Sequence, residues 1–119
     1  MNRLTALSIF LSTLVGSTLS QAKEKIKFNR DIRPLLSDNC FACHGPDEHE
    51  RKAKLRLDVK EGGGFEDRDG FQAIVPKDPS NSEIIARMIS DDEDEIMPPP
   101  ETGKKLNKEQ IELIKQWIN

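Results

Sequence analysis

Apolar residues recur at helical spacing in three separate stretches of this 119-residue chain. The stretches cover residues 29–39, about 81–90 and 111–119, and each places its apolar residues on one face. Pro34 is compatible with the first helix because proline is tolerated in a first turn. The apolar positions are Ile32, Leu35 and Leu36, then Ile84, Ile85, Met88 and Ile89, and finally Ile111, Ile114, Trp117 and Ile118. We therefore predict three short helices.

Capping residues stand where each of these helices is expected to begin. They are Asn29, then Ser80 with Glu83 three residues on, and Asn107 with Gln110 three residues on. A short polar side chain before a helix accepts a hydrogen bond from a free main-chain amide, and the residue three positions later can bond back. The last two pairs therefore predict capping boxes.

The segments between the helices are long and polar. Leu55, Leu57 and Val59 alternate with polar residues, as in a short half-buried strand or an extended loop. Residues 62–70, which begin Gly-Gly-Gly, predict a flexible loop, and Ile-Met-Pro-Pro-Pro at 96–100 cannot be helical. Loops of this length in a small domain need something to pack around. The predicted fold is all-α, with about three short helices and long loops around a bound group.

The N-terminal end has a different character from the rest. Residues 4–20 carry no charge, small residues precede position 23, and the apolar part, 4–15, is too short to cross a bilayer as a packed helix. This pattern predicts a secretory signal peptide, residues 1–22, cut after Ala22. A retained N-terminal anchor is the alternative. We expect residues 23–119 to form one exported domain, periplasmic or extracellular, with no stable membrane insertion after cleavage.

Composition narrows the class of protein further. The formal net charge is −3, and no basic stripe of the kind that binds nucleic acid is present, so we expect no nucleic-acid partner. A domain this small often needs a disulfide, a metal ion or a cofactor to be stable. The two cysteines, Cys40 and Cys43, lie only three positions apart, so a disulfide between them would close almost no loop and stabilise little.

Both cysteines belong to the segment Cys40-Phe41-Ala42-Cys43-His44. The spacing Cys-x-x-Cys-His is typical of covalent haem c attachment. The two thiols add to the two vinyl groups of the porphyrin, and a single turn of chain brings both sulfurs to the ring edge. His44 follows at once and turns its imidazole to the iron from one face. The motif predicts one covalent haem c per chain, held through Cys40 and Cys43.

Two other uses of the motif are weaker. Structural zinc usually needs four ligands, and Cys40, Cys43, His44 and His49 would have to supply them from within ten residues. The redox motif of a dithiol oxidoreductase requires a strand–helix context of the βαβ type, and the sequence does not display one.

The second axial ligand of a haem has four kinds of candidate: His49, Met88, Met97 and the lysines. His49 is only five residues after His44, and Met88 belongs to the apolar face of the middle helix. Met97 follows the acidic run 91–95 in a segment stiffened by three prolines, far enough along the chain to reach the opposite side of the ring. We predict that Met97 is the ligand. Its alternative role is that of a buried loop anchor.

Three segments of the chain resemble a known family. They are FNRDIRPLLSDNCFACHGPDEHERKAKLRLD, AIVPKDPSNSEIIARM and MPPPETGKKLNKEQIELIKQWI, within about 25–118. The order of helix, Cys-x-x-Cys-His, long loop, Met-Pro and final helix resembles class I cytochromes c, and more closely the planctomycete-type cytochrome c domain. The segment GGGFEDRDGFQ, 62–72, departs from that pattern. The resemblance implies an all-α class I fold, covalent haem at Cys40 and Cys43, and axial ligands His44 and Met97.

The resemblance implies electron transfer and not an enzyme, because an iron with both axial positions filled leaves no site for substrate. An open haem that senses small ligands or acts like a peroxidase is the alternative. In this family the domain usually heads a longer secreted protein, so residues 23–119 are expected to work with a redox partner or with fused domains. The acidic run 91–95 is a solvated loop or a docking site for a basic partner.

Overall fold

A computed structural model of the chain describes Gly16 and residues 22–119. The predicted signal peptide, 1–22, therefore lies outside the described residues except at Gly16 and Ala22, and it stays a prediction. No helix among the described residues has the length and apolar character needed to cross a bilayer.

The first helical segment starts as a π-helical turn, Phe28–Ile32, and continues as α1, Arg33–Asn39. Pro34 lies in the first turn of α1, where it is tolerated. Asn29 is not the cap: the main-chain amide of Lys27 donates to Asp31 Oδ2 at 2.7 Å. A hydrogen bond from Arg30 and this amide lower the pKa of Asp31 to about 2. Asp31 is therefore a carboxylate at neutral pH and holds the start of the helix.

A single helical turn, α2 at Phe41–His44, follows α1 directly. The chain is then irregular to residue 59, so the alternation at 55–59 is an extended loop and not a strand. The irregular π-type turn Lys60–Gly64 follows, and its main chain is not helical at 61–63. Leu57 alone of the three alternating residues is fully buried, with 8% of its surface exposed.

The predicted all-α fold is wrong, because a two-stranded antiparallel hairpin stands where a flexible loop was expected. Strand β1, Asp67–Arg68, pairs with β2, Phe71–Gln72. Asp69 and Gly70 form the turn with φ of 56° and 91°, and the Gly70 amide donates to Asp67 Oδ1 at 2.8 Å. A two-residue Asp-Gly loop with both φ values positive matches the right-handed twist of paired strands. The Asp-Gly pair was therefore a sequence signal for a hairpin turn in this segment.

The middle helix, α3, covers Glu83–Ile89 and follows a 3-10 turn, Pro79–Asn81. The capping box predicted at Ser80 is wrong, because Asp78 accepts the Asn81 amide and Ser80 Oγ donates to the same carboxylate. Ser82 precedes α3 but does not cap it. Its hydroxyl accepts from the Val75 amide at 2.9 Å and donates to the Asp78 carbonyl at 2.8 Å. A contact with the preceding loop replaces the local cap.

The last helix, α4, covers Lys108–Ile118 after a 3-10 turn at Pro100–Thr102. Its capping box is confirmed: Asn107 Oδ1 accepts the Gln110 amide at 2.8 Å, and Gln110 Oε1 accepts the Asn107 amide at 2.9 Å. The helix packs on the turn Phe28–Ile32 and on α3.

One apolar core joins these elements. Its buried members are Ile32, Leu36, Leu57, Ile74, Ile84, Ile85, Met88, Leu106, Ile114 and Ile118. At its edge the Trp117 ring lies 5.2 Å from that of Phe28 and 6.2 Å from that of Phe65, between ring centroids. Such tilted aromatic pairs add to the stabilisation from burial. The core therefore ties the first and last helical segments together, with the Cys-x-x-Cys-His turn at the end of α1.

Candidate functional site

The three residues of the Cys-x-x-Cys-His motif are brought together within one turn of main chain. Cys40 ends α1, and its carbonyl accepts from the amides of Cys43 at 3.2 Å and His44 at 2.7 Å. Residues three and four positions apart in a helical turn lie on the same side of it. Both thiols and the imidazole are therefore presented from one side of the turn.

The chain that follows the motif is fastened back onto it. The Lys52 amide donates to the Cys43 carbonyl at 2.7 Å, and the Leu57 amide donates to the His44 carbonyl at 2.8 Å. Arg51 Nε donates to the Gly45 carbonyl at 3.0 Å. These bonds satisfy the carbonyls that a helix end leaves without partners. They hold the turn in one conformation.

His44 is half-buried and is kept neutral by its surroundings. Burial lowers the pKa of the imidazole and the positive charge of Arg68 lowers it further, while the main chains of Lys52 and Leu55 oppose the shift. Its Nδ1 is buried and has no hydrogen-bond partner among the described residues. A buried ring nitrogen of this kind needs a partner. A neutral imidazole is the form that binds a metal.

Cys40 and Cys43 are free thiols, each half-buried. Burial raises the pKa of the Cys40 thiol to about 11, against the opposing charge of Lys104. Dithiol oxidoreductases need a thiolate at neutral pH, which a lowered pKa supplies. The environment of Cys40 instead raises the pKa of its thiol, so it disfavours thiol exchange.

Met97 comes from a separate segment, between α3 and the turn at Pro100–Thr102. Its amide donates to the Arg87 carbonyl at 3.0 Å, which ties the segment to the end of α3. The Met97 side chain is half-buried, whereas Met88 is in the core with 7% of its surface exposed. His49 is exposed. Of the thioethers, only Met97 is thus outside the apolar core while still sheltered from solvent, within the described residues.

The motif and Met97 both fall inside one family match. The model of the family described as Planctomycete cytochrome C matches residues 40–101. The chain belongs to the planctomycete cytochrome c family. It is therefore a cytochrome c domain, and its family carries haem for electron transfer. Comparison with curated proteins and with solved structures gives no match.

The residues of this cytochrome c domain fit a c-type haem. A porphyrin takes its two thioethers at separate points of its edge and its histidine at the centre, so the three groups must be near one another without converging. No group of three or more His, Cys, Asp or Glu in the described residues converges as a metal-ion site. The donor set thus suits a ring better than a single zinc ion.

A separate cavity of about 560 Å³ lies beside the Phe28, Phe65 and Trp117 rings. Its remaining lining residues are Leu57, Val59, Lys60, Gly64, Ile74 and Pro76. None of Cys40, Cys43, His44 and Met97 lines it. This cavity is therefore distinct from the motif.

Gly45, which follows His44, is a position where the observed main chain needs glycine. A methyl group there would overlap the Phe41 carbonyl oxygen, which is main chain and cannot turn aside. We expect Gly45→Ala to lower the free energy of unfolding by about 1 to 3 kcal/mol and to change the haem spectrum, because the end of α2 must shift. Denaturant unfolding and optical spectra of the haem-loaded protein measure both effects.

Gly62→Ala is the control. Gly62 is exposed, and a methyl group there meets no atom within 4 Å. Its φ of 67° makes alanine cost about 1 kcal/mol. We expect its haem spectrum to be unchanged. An unaltered spectrum in Gly45→Ala would show that the motif does not depend on this close approach.

Proposed function

We propose that residues 23–119 form an electron-carrier domain in which Cys40 and Cys43 hold one haem by thioether bonds. His44 and Met97 would be the protein ligands of its iron. The observation that carries the proposal is the single turn of main chain that contains both thiols and the half-buried imidazole of His44. When bound, haem supplies a centre that takes up and releases one electron.

The protein groups have separate tasks in this proposal. Cys40 and Cys43 fix the ring to the end of α1, and the bonds from Lys52 and Leu57 keep His44 from moving as the charge at the site changes. Preorganised ligands of this kind lower the rearrangement that accompanies electron transfer. Met97 would supply the second protein ligand to the iron, so that no coordination position would be left for substrate.

The support for Met97 is its attachment to α3 and the prolines that follow it. The bond from its amide to Arg87 fixes the start of the segment, and Pro98 is buried beside it. Proline restricts φ and so limits the conformations available to the loop. A thioether on such a loop is held in place at little entropic cost. Methionine at this position raises the reduction potential relative to a second histidine.

We also propose that the domain is exported after removal of residues 1–22 and works in the periplasm or outside the cell. Its partners are redox proteins or fused domains. The acidic run, Asp91–Glu95, is exposed and lies next to Met97 in sequence. Such a run attracts a basic partner over a distance set by the ionic strength. Electron transfer that slows with added salt would support this choice of partner.

The ligand assignment is tested by replacing Met97 and, in a separate variant, Met88 with leucine, which removes sulfur and keeps the size. The ferric protein is expected to show the far-red sulfur-to-iron band. Met97→Leu should abolish that band, and Met88→Leu should retain it because Met88 is a core residue. Optical spectra of the oxidised proteins at matched haem concentration give the result.

Persistence of the band in Met97→Leu, or its loss in Met88→Leu, would overturn the assignment of Met97. Rapid binding of carbon monoxide by the unaltered reduced protein would instead indicate an open position on the iron. The role of a ligand sensor or peroxidase-like module would then replace that of an electron carrier.

A further inference from the structure

Arg68 links the unpredicted hairpin to the loop that follows the motif. Its Nη2 donates to the Ala53 carbonyl at 2.7 Å, fifteen residues back along the chain. The hairpin has only two paired residues in each strand, and Gln72 Nε2 braces it by donating to the Phe65 carbonyl at 2.7 Å. Arg68 on β1 is therefore carried by a short but fastened element.

The part of the loop that Arg68 holds has an unfavourable backbone conformation. Ala53 and Lys54 have φ of 52° and 54°, in the left-handed region that side chains other than glycine rarely adopt. The strained pair lies between the two amides that bond to the motif, those of Lys52 and Leu57. Strain of this kind persists only where surrounding contacts enforce it. The Arg68 bond is one of these contacts.

Arg68 also brings a positive charge to the loop whose amides bond to the carbonyls of Cys43 and His44. Its side chain is half-buried, and it forms no ion pair in the part of the chain that the structure describes. A half-buried charge without a counter-ion is screened less than one on the open surface.

We propose that Arg68 is a positioning residue that holds the loop behind His44 and raises the reduction potential of the haem. The proposal rests on the function proposed above. The loop bonds to the carbonyls of Cys43 and His44, so fixing Ala53 fixes the orientation of the imidazole. The nearby positive charge opposes the additional positive charge of the oxidised iron and so favours the reduced state.

The test compares the reduction potentials of Arg68→Gln, Arg68→Lys and Lys54→Gln in the haem-loaded protein. Lys54→Gln is the matched control, because it removes the same charge from an exposed neighbour of Ala53. At a fixed solution potential, Arg68→Gln should raise the ferric-to-ferrous ratio roughly three- to tenfold. A tenfold change corresponds to about 59 mV for one electron. Arg68→Lys should stay close to the unaltered protein, and Lys54→Gln should change the ratio less than Arg68→Gln.

A second measurement follows amide hydrogen exchange at Lys52 and Leu57, whose amides bond to the motif. Both amides should exchange faster in Arg68→Gln and remain protected in Lys54→Gln. Equal changes of potential in Arg68→Gln and Lys54→Gln, or none in either, would overturn the proposal. So would a large change in Arg68→Lys with its charge retained.

Failure of the wider function gives a different result. A protein without thioether-linked haem in the pyridine haemochrome assay would remove the proposed function and this inference together. A protein that carries the haem but ignores the change at Arg68 would remove only the inference. Loss of haem in Arg68→Gln but not in Lys54→Gln would show that the contact of Arg68 with the loop is needed to hold the ring, whereas loss in both variants would overturn the proposal.

Discussion

Replacing Ile114 with alanine is expected to lower the free energy of unfolding by about 3 to 4 kcal/mol. Ile114 is 0% exposed and belongs to the same core cluster as Ile32 and Leu36. The truncation removes apolar contacts and leaves a cavity that the packed elements cannot fully close. Because small domains are stabilised by only about 5 to 15 kcal/mol, this loss is a large share of the total. Denaturant unfolding of the haem-loaded protein measures it.

The control makes the same chemical change where no core contact is lost. Ile89 is on α3 but has 56% of its surface exposed. Ile89→Ala should therefore change the free energy of unfolding by less than about 1 kcal/mol, the range typical of surface substitutions. Similar losses in the two variants would mean that α4 is not packed against the first helical segment as described.

Local signals predicted those parts of the fold that depend on neighbours in sequence. The start of the last helix after Asn107 was predictable because both bonds of its capping box join residues three positions apart. The apolar face of that helix could also be predicted, because it follows from the 3.6-residue spacing of apolar residues within the helix itself. The prediction at Ser80 used the same rule and was wrong. There Asp78, two residues earlier, accepts the amide, and Ser82 bonds to Val75 across a loop.

The hairpin was missed for a different reason. The three glycines at 62–64 favoured a flexible loop, and the loop predicted over 62–70 included the Asp69-Gly70 turn. Two of these glycines are buried: a methyl group at Gly64 would press on Leu57 Cδ2 at 2.9 Å and Ile74 Cδ1 at 3.2 Å. Glycine here allows close packing and not only flexibility. Burial of this kind depends on tertiary neighbours, which a single sequence does not identify.

The candidate site also contains residues that local spacing predicts and residues that only tertiary contacts place. Cys40, Cys43 and His44 lie within five consecutive residues, so their spacing alone predicts a shared side of one turn. Arg68 had no sequence signal, because its closeness to the loop depends on a hairpin and on a carbonyl fifteen residues away. Met97 is intermediate. Its distance along the chain made it a candidate, and the bond to Arg87 adds the support of its place at the end of α3.

Removing both thiols should abolish covalent attachment of haem altogether. The double variant Cys40→Ala/Cys43→Ala keeps His44 and Met97, so haem that it binds should be extracted when the protein is unfolded. Each single variant keeps one thioether and should retain haem through unfolding, with a pyridine haemochrome band shifted from that of the unaltered protein. Haem staining on a denaturing gel and the haemochrome spectrum measure attachment.

Alanine is preferred to serine for this test because Cys40 is largely sheltered from solvent. Burial raises the pKa of its thiol to about 11, and a hydroxyl in the same place would lose hydrogen bonds to water at a cost of about 1 to 3 kcal/mol. Met97→Leu is the control: it changes the proposed iron ligand and leaves both cysteines, so its haem should remain covalent. Haem that survives unfolding in the double variant would mean that the attachment is not through these cysteines. Unfolding must break every non-covalent bond to the iron, so the double variant and the control should separate completely.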